Sequence, residues 1–211
     1  KTGIPVSGQL NASFSAASDN VRVQNSYLAL PHTRLDLEGD LTKNLHLALK
    51  SRDLNDVLAA TTVSRDTVTL NQGVLTFDGN VAGGLRSPRL SGHLGATNLA
   101  VEGRRFDSVV ADLAASPSGA TVSNGAISRA GDGSGMRAQF SASAALANWK
   151  LPPSAPIRAA LTINPADLAD LAALAGQKDG GYSGPVTVAA HVTGTAGNPL
   201  DATYVVAVTL P

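Results

Sequence analysis

Leu35-Asp36-Leu37-Glu38-Gly39-Asp40-Leu41-Thr42-Lys43-Asn44-Leu45-His46-Leu47-Ala48-Leu49-Lys50 is the stretch that decides the fold class. Leu35, Leu37, Gly39 and Leu41 alternate with Asp36, Glu38 and Asp40, and Leu45, Leu47 and Leu49 alternate with His46, Ala48 and Lys50. A period of two puts every second side chain on the same face, the pattern of a half-buried β-strand. The connection Leu41-Thr42-Lys43-Asn44 is too short for a crossover, so the two strands are antiparallel neighbours. One face of this hairpin is apolar and the other polar, as in a sheet with one dry and one wet side.

The same alternation extends in both directions. Upstream, Val6, Gly8, Leu10, Ala12 and Phe14 share one face. Downstream come Leu75, Phe77, Gly79 and Val81, then Met136 to Leu146, Ile157 to Ile163, Val186 to Val192 and Tyr204 to Leu210, each read at every second residue. Weaker strands are expected through Val21–Tyr27, Val68–Leu70, Leu90–Val101, Phe106–Leu113 and Thr121–Ile127. Ser18-Asp19-Asn20, Gly83-Gly84, Glu102-Gly103-Arg104 and Ser116-Pro117-Ser118-Gly119 supply the turns. The chain is therefore expected to be all-β, a long antiparallel meander of about a dozen strands. Such a meander either curls into an open groove or closes as a β-sandwich, and alternation is identical in the two.

Two segments break the period. Asp53–Ala60 places Leu54, Val57 and Leu58 on one helical face. Asn164–Gly176 reads as a second short helix, with Asn164 as N-cap, Pro165 at the first helical position and Gly176 as the stop. Val81, Gly83 and Pro88 match Val192, Gly194 and Pro199 at a constant offset, which suggests a repeat of about five strands and one helix. The expected units are 1–60, 61–175 and 176–211, the first two each ending in a helix. The chain reads as an excised fragment of a longer protein.

Composition narrows the function. Sixteen basic and sixteen acidic residues give zero net charge, which removes the basic stripe that nucleic acid would require. There are no cysteines, so a disulfide framework, thiolate chemistry and sulfur-ligated metal are excluded. Apolar residues make up 43% of the chain but aromatics only 4%, with one Trp and one Met. The apolar mass is Ala, Leu and Val, short of the large side chains that fill a compact centre. No catalytic constellation, cofactor motif or metal set emerges. His32, His46, His93 and His191 lack partners at metal-ligand spacing and read as solvent-facing residues. Gly131-Asp132-Gly133-Ser134-Gly135 is followed by a strand where a phosphate loop needs a helix, so it reads as a hairpin tip. Asp36, Glu38 and Asp40 read as a solvated face.

What remains is a long apolar sheet face that two short helices are too small to cover. Each methylene moved from water to such a lining gains about 0.8 kcal/mol, by contacts that need no special residue. The expected lining is Leu10, Phe14, Leu35, Leu37, Leu47, Leu75, Phe77, Phe140, Leu161, Ile163, Val188 and Val206, and the expected ligand is an acyl chain.

Val81-x-Gly83-x-x-x-x-Pro88-x-Leu90-Ser91-Gly92-x-Leu94, leading to Leu99-x-Val101-x-Gly103 and Phe106-Asp107-x-Val109, resembles the AsmA-like and TamB family. So do Val68-x-Leu70-Asn71-x-Gly73-x-Leu75-x-Phe77-x-Gly79 and the helix at Asp53–Leu58 with its echo near Asp167. The resemblance implies a taco-shaped β-groove in the bacterial periplasm, in a parent chain anchored in the inner membrane. It implies a non-enzymatic role in moving phospholipid towards the outer membrane, with membrane contact through terminal segments that this chain lacks. An outer-membrane barrel protein is the further partner it implies, through the parent chain. The alternative reading is a scaffold that assists outer-membrane protein assembly, in which an edge strand near Val205–Leu210 pairs with a nascent β-barrel chain.

Overall fold

A computed structural model describes residues 5–58, 68–70, 72–101, 104–129, 135–167 and 184–209. The described residues form one antiparallel sheet of fourteen strands with one short helix. Strands β1 (Ser7–Gln9) and β2 (Ala12–Ser15) both pair with β3 (Asn20–Ala29). The meander continues through β4 (Thr33–Asp40) and β5 (Asn44–Ser51). Helix α1 (Leu54–Leu58) and β6 (Val68–Leu70) follow, then β7 (Leu75–Ala82), β8 (Arg89–Val101) and β9 (Arg104–Ser116). The remaining strands are β10 (Gly119–Arg129), β11 (Met136–Ala145), β12 (Pro156–Asp167), β13 (Pro185–Thr195) and β14 (Asn198–Thr209). From β3 onward, apart from β6, which pairs the far end of β8, each strand of the meander lies beside the next. β5 and β7 pair directly, so α1 and β6 form an excursion that leaves the meander uninterrupted.

The sheet is open. β1 and β2 end it on one side and β14 on the other, with no pairing between them among the described residues. One open sheet, with no second sheet among the described residues, is the open-groove alternative and not the sandwich. Surface area says the same. The chain exposes 13258 Å² for a mass of 21.3 kDa, whereas a compact monomer of that mass exposes about 9,100 Å². The core is correspondingly thin. Buried apolar residues are mostly Ala and Val, and the principal cluster is Ala166, Val186 and Val188 with Ile163 packed against it.

Bulges shape the sheet. The β3–β4 register shifts between Val23 and Ser26 and the β9–β10 register between Ser123 and Ala126. Each shift holds an asparagine with positive φ, Asn25 at 44° and Asn124 at 50°. Asparagine tolerates this left-handed backbone better than most residues, and a bulge there bends its strand and raises the local twist.

The helix expected over Asp53–Ala60 is present as Leu54–Leu58; Ala59 and Ala60 lie outside the described residues. The helix expected from Asn164 is not where capping placed it. Residues 164–167 continue β12, with Ala166 opposite Val186 and Asp167 opposite Pro185 after a register shift at Ile163. Pairing with β13 and burial of Ala166 override the local Asn-Pro start signal, as tertiary context often does. Residues 168–176 lie outside the described set, as do 102–103 and 131–134. The strands flanking the Gly-rich stretch do pair as a hairpin, Arg129 opposite Met136.

Gly92 has a specific packing duty. A Cβ there would stand 2.5 Å from both the Asp78 carbonyl oxygen and the Phe77 ring. Gly92→Ala is expected to destabilise the sheet by about 1–3 kcal/mol in urea unfolding. Gly119→Ala, where the nearest atom is the Ala144 oxygen at 3.5 Å, is expected to stay within about 0.5 kcal/mol of the parent.

Candidate functional site: the apolar face of the sheet

Register assembles the alternating residues into rows that cross the sheet. One row runs Gly8, Leu28, Leu35, Leu49, Phe77, Leu94, each opposite the next on the adjacent strand. It continues to Ala111, passes the β10 bulge at Gly125, and resumes as Phe140, Leu161, Ala190 and Val206. A second row runs Leu37, Leu47, Gly79, Gly92, Leu113, Val122, Ala142, Ala159 and Val192. A third runs Leu75, Ala96, Val109, Ile127, Ala138, Ile163, Val188 and Val208. A period of two within strands and an antiparallel register between them place all three rows on the same face.

The expected lining residues fall in these rows or at their margin. Leu35, Leu37, Leu47, Leu75, Phe77, Phe140, Leu161 and Ile163 are half-buried, and Val188 is buried. Leu10 lies between β1 and β2, and Phe14 lies on β2 opposite Val21; they are 72% and 61% exposed at the open margin. Val206 takes the register position opposite Ala190, and its side chain lies outside the described set. Half-burial in a single layer comes from neighbours within the face. Aromatic rings cover the glycines of the face: the Phe77 ring lies over Gly79 and Gly92, and the Phe140 ring over Gly125. Where Gly125, Phe140 and Leu161 meet, a depression of about 450 Å³ opens across β10, β11 and β12.

The other face is polar and ion-paired. Asp36 takes the Arg34 guanidinium at 2.8 Å, and that guanidinium also stacks 4.2 Å from the Tyr27 ring centre. Asp40 accepts from Arg22 at 3.0 Å and from the Asn20 amide at 3.1 Å. His46 lies 3.5 Å from Asp78, and His93 bonds Asp112 at 2.9 Å across the β8–β9 pair. The histidines face solvent, as their alternation implied. Hydrogen bonds from Arg22 and then Asn20 hold the Asp40 carboxyl below its ordinary range. The Asn124 amide, followed by His93, does the same for Asp112.

One grouping escapes sequence spacing. His32 before β4 meets Asp53 and Asp56 at the start of α1, with their ligand-type atoms within 4.8 Å of one another. Each is already engaged in local structure. Asp56 accepts from the His32 backbone N–H at 2.8 Å, and Asp53 accepts from the Asn55 N–H at 2.9 Å, capping the helix. Its members are 21 and 24 residues apart from His32, so no short motif could have revealed it.

Comparison with known protein families, characterised proteins and solved structures finds no match for this chain.

Depressed carboxyl groups fix the sign of a pH effect. A carboxylate favoured in the folded state contributes above its unfolded pKa, and the contribution is lost as pH falls through the folded value. Melting temperature is therefore expected to fall below about pH 4. Replacing Asp112 with Asn should flatten part of that acid limb while leaving the neutral-pH fold intact, as read by thermal melts between pH 2 and 7.

Proposed function

We propose that this chain is a non-enzymatic segment of a bridge-like periplasmic protein of the AsmA-like/TamB kind, whose open apolar face holds and conducts phospholipid acyl chains. The observation that carries the reading is the first apolar row, which crosses the sheet from Leu28 to Leu161 with its leucine and phenylalanine side chains left partly exposed. An acyl chain is long, uncharged and without directional contacts, so it suits a face built of Leu, Val and Ala rows. About 12 methylenes seated there gain on the order of 10 kcal/mol before ordering costs. Strands of 8–13 residues span about 27–44 Å, enough for an extended chain to lie along or across them. The polar face, with its ion pairs, keeps the outside of such a groove in water.

A second reading rests on β14. This strand is twelve residues long and, among the described residues, pairs on one side only, with β13. A scaffold role would use it by adding a strand of an outer-membrane client through backbone hydrogen bonds.

Native mass spectrometry of the chain purified from a bacterial host separates the two. Co-purifying phospholipid is expected, and Leu37→Asp and Phe77→Asp should lose it while keeping the β-sheet circular dichroism signal. Lipid-free wild-type protein, or variants that keep their lipid, would count against the groove. Loss of client binding on introducing proline at Val205, with lipid unaffected, would favour the edge.

A further inference from the structure

All the two-strand turns other than those at residues 30–32 and in the segments left undescribed lie at one end of the strands, and one of them is built against local preference. Asn148 and Trp149 are the central residues of a two-residue hairpin, closed by Ala147 N–H to Lys150 O at 2.8 Å and Lys150 N–H to Ala147 O at 3.1 Å. Their φ angles are +51° and +67°, the signature of a type I′ turn, whose second central position favours glycine. A tryptophan in left-handed backbone is sterically disfavoured. The fold nevertheless holds it there: the Trp149 N–H donates to Pro117 O at 3.2 Å and the Leu146 N–H to Ser118 O at 2.9 Å, tying the turn to its neighbour.

The result is a firmly held tip with its apolar side chains pointing out. Trp149 is 47% exposed and Leu151 53%. Strain kept at an exposed aromatic is a reason to look for a partner. The charge around it says which kind. In the turns at this end, residues 16–19, 41–43, 83–88, 117–118, 146–155 and 196–197, the charged residues are Lys43, Arg86 and Lys150 against Asp19. Arg86 sits beside Leu85, itself 50% exposed. The Leu85 turn and the Trp149 turn are four strand spacings apart, about 19 Å. Apolar and basic residues thus recur along a rim instead of converging on a pocket.

We propose that this rim docks on the interface of an anionic phospholipid bilayer, with Trp149 and Leu151 entering the headgroup region and Lys150, Arg86 and Lys43 facing lipid phosphates. Tryptophan favours that zone because its ring is apolar and its N–H polar, and basic residues near an anionic surface add to the attraction. The inference is independent of the acyl-chain groove, since it uses turns and not the sheet face.

Trp149 is the chain's single tryptophan, so its emission reports the event directly. Vesicles of phosphatidylcholine with one quarter phosphatidylglycerol are expected to shift that emission to the blue and to carry the protein on sedimentation. Trp149→Gly should melt at the same temperature as the parent or higher, because glycine suits the turn, yet lose at least about tenfold in vesicle partition. Lys150→Ala should lose about fivefold. Phe77→Asp should retain docking, which separates failure of the rim from failure of the groove. Unshifted emission with these vesicles, or a Trp149→Gly variant that sediments as well as the parent, overturns the proposal.

Discussion

An antiparallel sheet can leave one side in water only if the other side is kept from it, and in this chain the second requirement is met by the face itself. Among the described residues the regular structure is one sheet and one five-residue helix. Shielding comes from side chains lying flat on their neighbours, with the Phe77 ring over Gly79 and Gly92 and the Phe140 ring over Gly125. Small residues make this possible. Glycine and alanine in the rows leave room for the rings, and the buried set is correspondingly poor in large side chains. Cooperation between strands is therefore mainly backbone pairing with each neighbour, and the layer lengthens one strand at a time.

The strand pattern was legible because the two faces obey opposite chemistry. In the two strands of Leu35–Lys50 leucine or glycine alternates with a polar or small side chain, so a register slip would expose every leucine and bury every carboxylate. The same logic put Leu35, Leu37, Leu47, Leu75, Phe77, Phe140, Leu161 and Ile163 on one face, where their half-burial follows from their row and not from their individual identity. What stayed hidden was non-local. Alternation carries no information about closure, which depends on whether β14 meets β1 or β2. The segment Asn164-Pro165-Ala166-Asp167 has a helix-start composition, yet its pairing partner Pro185-Val186 lies some twenty residues on and decides its state. The grouping of His32 with Asp53 and Asp56 likewise exists only because β4 and β5 run side by side.

The polar face and the turns show how the rest of the sequence serves such a layer. Arg22, Arg34, His46 and His93 each meet a carboxylate across or along the strands. Exposed pairs of this type add little stability, but they keep the wet face highly polar and so reinforce which side is dry. Asn25 and Asn124 bend their strands, and the first row resumes at Phe140 beyond the β10 bulge. Trp149 is the exception to local consistency, a large aromatic in a glycine position, and such exceptions tend to mark function.

The central claim is that the apolar face is open to an acyl chain along its rows. Because the chain has no cysteine, single cysteines placed in turn at residues 45 to 50 of β5, each carrying a benzophenone group, would sample both faces of the same strand. Irradiation with phospholipid should crosslink lipid at 45, 47 and 49 and spare 46, 48 and 50. Crosslinking without alternation, or none at the three leucine positions, would contradict the account.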